Sequence, residues 1–233
     1  MIDIMAIGAH PDDVEIGVGG ILAKYKGSDV KTMIVDLTKG EMGTNGTPQI
    51  REREGKRAAE ILGSKRVVMD LPDGKIKVSE ENLIKVIELI RQFRPRIILT
   101  HYPDPEQHPD HYNSALLVRQ AAHLAGLAKY PAQGERFRPE RIYHFFLPKY
   151  LQPSFIVDVT DSFPIKMEAL KAHESQFLSR DKGLPTNVNR EDIFEGIETI
   201  ARYHGQSIGV KFGEALYYKG VLGVDNIMNI GML

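Results

Sequence analysis

A chain of 233 residues with 42% hydrophobic content can bury a full core in one domain, and a formal net charge of −1 offers nothing to a nucleic acid or an anionic membrane surface. Cysteine is absent, which excludes disulfides and thiolate ligands, so any metal must be held by His, Asp or Glu. No basic segment leads into an apolar stretch at the N-terminus and no apolar run approaches the ~18 residues of a membrane span, so a soluble cytoplasmic protein without a nucleic-acid or membrane partner is expected.

In chain order, the first two-thirds alternates strand and helix. Ile2 to Ile7 reads as a buried strand, and Gly17 to Tyr25 as the helix after it, its glycines allowing close approach to the sheet or the site. Thr32 to Leu37 is a second strand, followed by a polar loop from Lys39 to Gln49. Arg51 to Leu62 is a helix with Gly63 placed as its C-terminal cap. Arg66 to Leu71 is a third strand, ended by the turn Pro72-Asp73-Gly74. Ser79 then caps a helix whose apolar positions Leu83, Val86, Ile87 and Ile90 follow helical spacing, and Pro95 stops it. Arg96 to Thr100 is a fourth strand, and His111 to Leu124 the next helix. This succession predicts an α/β fold, a Rossmann-like doubly wound and mostly parallel sheet.

The last third is less regular. Ile142 to Leu147 and Phe155 to Val159 read as strands, and Asp161 or Ser162 caps a helix running to about Phe177 with Pro164 in its first turn. Leu178 to Asn189 is a polar loop, Asn189 caps a helix through His204, and Tyr217-Tyr218 mark a late strand. With no repeat, low-complexity tract or linker, one domain over residues 1–233 is expected.

Chemistry concentrates in two clusters, each directly after an apolar run. Ala9-His10-Pro11-Asp12-Asp13 follows the first strand, and His108-Pro109-Asp110-His111 follows the fourth. Parallel sheets place their chemistry at these carboxyl ends. The window from His101 to His111 alone holds three of the eight histidines. A catalytic zinc takes three protein ligands and keeps one position open. Without cysteine, two His and one carboxylate are the obvious set, with His10 and Asp13 converging from a turn into a helix and His111 supplying the third. Asp12, His108 and Asp110 are left for proton transfer, which fits metal-assisted hydrolysis of an amide. An Asp partner would raise the pKa of a catalytic His by favouring its charged form. The Gly17-Val18-Gly19-Gly20 run misses the dinucleotide spacing, and the carboxylates just before it would repel phosphate.

The two motifs in this order resemble the zinc-dependent N-acetylglucosaminyl deacetylases of the PIG-L/LmbE type, over nearly the whole chain. Within that family the chain is most similar to the bacillithiol-pathway deacetylases that act on N-acetylglucosaminyl malate, through Asp12 to Gly17 with Gly19-Gly20, Asp36 to Thr47, and Gly209 to Glu214. The resemblance implies Zn(2+), with Fe(2+) accepted by the same ligands, a small-molecule GlcNAc-conjugate substrate, and a homo-oligomer, a hexamer in the relatives of that type. It also implies roles: His10, Asp13 and His111 as ligands, Asp12 as general base, His108 as oxyanion stabiliser or general acid with Asp110 orienting it, Arg51 contacting substrate, and Asp73 binding sugar hydroxyls. Many relatives carry Glu directly after the two aspartates, whereas here Val14 intervenes before Glu15. The basic residues Lys129, Arg136, Arg138 and Arg141 could attract malate carboxylates, but an ordinary solvated loop or part of an oligomer contact is the favoured reading, and no role is assigned to Arg202 or Tyr203.

Two other classes compete. Two His and one carboxylate is also the facial triad of non-haem iron oxygenases, but an oxygenase has no evident use for Asp12 with His108 and Asp110. A sugar- or nucleotide-binding module with a structural metal is the third reading.

Overall fold

Seven strands and seven helices are placed in the computed structural model, which describes residues 1–178, 183–224, 226 and 228. In order they are β1 (Ile4–Gly8), α1 (Asp13–Lys24), β2 (Thr32–Asp36), α2 (Pro48–Leu62), β3 (Lys65–Val68), α3 (Glu80–Phe93), β4 (Ile97–His101), α4 (Pro109–Ala125), β5 (Arg141–Phe145), β6 (Phe155–Asp158), α5 (Phe163–Lys171), α6 (Glu174–Phe177), α7 (Ile193–Ser207) and β7 (Gly213–Leu216). Five strands form one sheet in the order β3-β2-β1-β4-β5, every pair parallel. The expected Rossmann-like arrangement is therefore present, and the order reverses between β1 and β4.

Both faces of this sheet are covered, which is why its strands read as unbroken apolar runs rather than alternating ones. Along β1, Ile4 and Ala6 enter one core with residues of α1, α2 and α5, while Met5 and Ile7 enter the other with residues of α3 and α4. Ile34 and Leu99 follow the first set, and Met33, Val35 and Ile98 the second. Among the described residues no helix is long and apolar enough to cross a membrane.

Caps act largely where composition predicts them. Gly63 ends α2 at φ 72, in the left-handed region. Ser79 caps α3, its hydroxyl accepting from Asn82 N at 3.3 Å. Ser79→Ala should cost about 1 kcal/mol, read as a lower urea midpoint with an unchanged slope; an unchanged midpoint would show that water replaces the hydroxyl.

Four expectations are corrected. The first helix begins at Asp13, not Gly17, and breaks at Val18 (φ −142, ψ 19). Glu214 of β7 caps the second half by accepting from Gly20 N at 2.9 Å and Ile21 N at 2.7 Å, and Lys166 Nζ balances its charge at 2.6 Å. Gly17 packs directly on the Phe145 ring, where a Cβ would collide, so the close approach is to the sheet. The helix expected to run to Phe177 is divided into α5 and α6 around His173, whose buried ring turns toward Glu15 at 3.1 Å. Asn189 does not cap a helix: its carbonyl accepts from Thr186 N at 2.7 Å and its amide donates to Leu184 O at 2.9 Å. Residues 179–182 of the expected polar loop lie outside the described residues. The late strand is Gly213–Leu216, antiparallel to β6, and Tyr217 only bridges to His144 on the edge of the main sheet.

Candidate metal centre

The neighbouring strands β1 and β4 end side by side at the reversal of strand order, the crevice in which open α/β sheets place their ligands. After β1 the chain turns through Ala9 to Asp12 and enters α1 at Asp13. After β4 it loops to His108, which caps α4, its Nδ1 accepting from Asp110 N at 3.2 Å. The turn after β3 adds Asp73.

Asp13 is the hub. Its Oδ1 lies 3.2 Å from His111 Nε2, and its Oδ2 lies 3.1 Å from His101 Nε2 and 3.5 Å from His10 Nδ1. The same Oδ2 accepts from His10 N at 2.8 Å, closing the turn. On the other side, His10 Nε2 faces Asp73 Oδ1 at 3.0 Å and Asp110 Oδ2 at 3.4 Å. The rings of His10, His108 and His111 lie 5.0–5.4 Å apart, centroid to centroid.

Among the described residues three sets of donor atoms come mutually within 4.8 Å: His10 with His108 and His111, Asp13 with His101 and His111, and His10 with Asp73 and Asp110. The three expected ligands thus recur in these sets, though never all three in one. All donors are imidazole nitrogen or carboxylate oxygen, the chemistry that zinc or iron(II) accepts. The field has the right sign as well. Burial alone would keep His10 neutral, but Asp110, Asp13 and Asp73 outweigh it and push its pKa up to about 12. A centre that holds a proton so tightly favours positive charge, the condition a divalent cation meets in exchange for protons. The residues fit such an ion.

Asp12 stands beside this cluster in a backbone conformation rare for a side-chain-bearing residue, φ 116 and ψ −26. Such strain persists only where surroundings enforce it. Here Arg51 does so, donating to Pro11 O at 2.6 Å, to Asp12 Oδ2 at 3.3 Å and to Gly40 O at 3.2 Å. Gly40, at φ 66, leaves room for the guanidinium, which any Cβ there would strike. Burial raises the Asp12 carboxyl to about 6 even though Arg51 opposes it.

The geometry adds to several of the expected roles. Arg51 is 4% exposed and holds the Asp12 turn. Asp73 has both oxygens engaged, one with His10 and the other accepting from Met42 N at 2.8 Å; His10 and Met42 overcome burial and bring its pKa to about 2. The Asp110 carboxylate accepts from Gly74 N at 2.6 Å and Ile76 N at 3.0 Å and faces His10; its charge raises the His108 pKa, but burial and the charges of His10 and His111 outweigh it and lower that pKa. Arg202 pairs with Glu198 at 2.6 Å on α7, and Tyr203 is exposed.

His101 is the site residue that sequence reasoning missed. It ends β4, is fully buried, stacks on His111 at 4.2 Å, and its Nε2 accepts from Ala9 N at 3.0 Å while facing Asp13. A signal for it exists, since His101 opens the histidine-rich window, but the apolar run before it reads as a strand stopping at Thr100.

Residues 5–122 match the GlcNAc-PI de-N-acetylase family, PIG-L. The chain is 31% identical to the diacetylchitobiose deacetylase of Thermococcus kodakarensis, over 92% of this chain and 82% of that protein. It is also 31% identical to a Bacillus anthracis protein named as a probable N-acetyl-alpha-D-glucosaminyl L-malate deacetylase 2, over 85% and 92% of the two chains. Among solved structures, the conserved protein TT1542 of Thermus thermophilus superposes with a TM-score of 0.86 at 35% identity, covering 96% of this chain and 98% of that one.

Proposed function

The chain belongs to the PIG-L family of GlcNAc-PI de-N-acetylases, and from that premise we propose that it is a metal-dependent hydrolase that removes the acetyl group from N-acetylglucosaminyl malate. The observation that carries the hydrolytic reading is the convergence of His10, His108 and His111 with Asp13, Asp73 and Asp110 next to a buried, strained Asp12. The malate aglycone rests on the sequence stretches named above and on the likeness to the Bacillus anthracis protein.

In this reading His10, Asp13 and His111 hold the ion, zinc by preference. A divalent ion there supplies Lewis acidity, polarising the acetamide carbonyl and acidifying water. Asp12 takes the proton of the attacking water. Its pKa of about 6 suits it to accept a proton near neutrality and return it. The Nδ1 of His108 accepts the Asp110 N–H, so the neutral ring carries its proton on Nε2 and can donate it to the developing oxyanion. Water oxygen bonds to the carbonyl carbon, the C–N bond breaks, and the nitrogen leaves as an amine with the proton Asp12 held, giving acetate and the free amino sugar.

A second reading, a chito-oligosaccharide substrate, is favoured by the similarity to the Thermococcus kodakarensis enzyme. Acetate release from N-acetylglucosaminyl malate and from diacetylchitobiose, before and after chelation and zinc add-back, separates the two. The expected result is chelator-sensitive release with the higher kcat/KM on the malate conjugate. Release from chitobiose alone would replace the substrate assignment, and release from neither by metal-loaded protein would remove the hydrolase reading.

A further inference from the structure

A second concave site lies outside the metal centre. It is a cavity of about 460 Å³ between the C-terminal part of α4, the edge strand β5 and the segment after β7, and none of the residues assigned to the metal centre lines it. Its cationic side chains are Arg119, Arg138, Arg141 and Lys219, against one carboxylate, Glu140. That carboxylate is already paired with Arg96 at 3.2 Å. Arg138 donates to His123 O at 3.3 Å and Arg141 lies over the Tyr218 ring at 5.8 Å, so both guanidinium groups are partly positioned. Among the described residues, Arg119 and Lys219 have no carboxylate within salt-bridge distance. The cavity therefore carries uncompensated positive charge, which favours an anion.

The remaining walls specify more than charge. Tyr102 and Tyr217, whose rings meet edge to face at 5.3 Å, present flat surface suited to a ring. His144 is buried and lines the cavity, and its Nδ1 donates to His101 O at 2.7 Å. With the proton on Nδ1, the neutral ring keeps a lone pair on Nε2 that can accept a hydrogen bond.

We infer that this cavity binds a small, flat organic anion carrying a hydroxyl group, with the acidic group among Arg119, Arg138 and Lys219 and the hydroxyl on His144. The inference does not depend on the deacetylase reading.

The probe is 6-hydroxy-2-naphthoate, titrated into the metal-loaded protein and followed by its fluorescence, with 2-naphthoate as the comparison lacking the hydroxyl. Saturable one-to-one binding is expected, weakened roughly tenfold or more in the Arg119→Ala/Lys219→Ala double variant, because charge-assisted contacts are lost. Both residues are exposed, so this variant keeps its fold, which its thermal melt verifies. The hydroxylated probe should bind several-fold more tightly than 2-naphthoate, and N-acetylglucosamine should not displace it. No saturable binding, equal binding to the double variant, or displacement by N-acetylglucosamine would overturn the site; equal affinity for the two naphthoates would overturn the pairing with His144.

Discussion

Asp12→Asn should retain the metal and lose activity, turnover falling by roughly 10²–10⁴-fold, the usual contribution of a positioned proton acceptor. Asparagine is the informative replacement because the backbone at Asp12 sits at φ 116. Asn tolerates positive φ better than Ala does, so the turn that places His10 and Asp13 is kept. Its amide oxygen also accepts the Arg51 contact that Asp12 Oδ2 makes at 3.3 Å. The fold should not weaken. Burial raises the Asp12 carboxyl to about 6, so the native state favours its neutral form, and above that pH the ionised group destabilises the folded protein relative to the unfolded chain. Asn removes that charge. Metal content by elemental analysis, a thermal melt and acetate release on one preparation make the test. Turnover within about tenfold of the parent would assign the proton to another group, and loss of metal together with activity would move Asp12 among the ligands.

What the sequence disclosed depended on how local each signal was. The strands β1 and β4 were legible, each to within one residue of its carboxyl end, because a buried parallel strand is a short apolar run, and the motifs after them fall at the same end of adjacent strands. The ligand candidates followed, since residue type and spacing within a single turn suffice to gather His10 and Asp13. Longer-range relations were not legible. Glu214 caps the second half of α1 across nearly the full length of the chain, and no local pattern marks it. His173 interrupts an otherwise good helix because its ring faces Glu15, 158 residues earlier. Asn189 misled for a different reason: its side-chain oxygen accepts from the upstream Thr186 N while Thr186 Oγ1 accepts from Asn189 N, a reciprocal pairing of the capping-box kind in which Asn189 is the later residue and not the cap. Arg51 was legible as a residue of the site, but its inward contacts with Pro11 O and Asp12 were not, because no local pattern marks them.

Glu15, read from sequence only as a departure from the pattern of relatives, leads to the largest expected effect on stability. Arg66→Met should lower stability by about 3–5 kcal/mol, the cost of leaving buried charge without its partner. Arg66 of β3 grips Asp36 at the end of β2 with two hydrogen bonds, of 2.6 and 2.7 Å, donates a third to Glu15 in α1, and reaches Gly55 O in α2 at 3.2 Å. Asp36 and Glu15 are both wholly buried, and burial alone would keep Glu15 neutral; Arg66 and His173 outweigh it and hold the carboxyl at about 2. Without the guanidinium, two carboxylates are left buried, and among the described residues only His173 stands close enough to Glu15, at 3.1 Å, to offer compensation. In a chain of this size the loss corresponds to roughly 10 °C in Tm. The cause is separable from simple packing: adding Glu15→Gln and Asp36→Asn to Arg66→Met should recover much of the loss, because the repelled charges are then gone. If Arg66→Met alone cost under about 1 kcal/mol, His173 or water would be replacing the guanidinium. If the triple variant were weaker still, the network would be holding the sheet to α1 and α2 by its hydrogen bonds rather than by its charge.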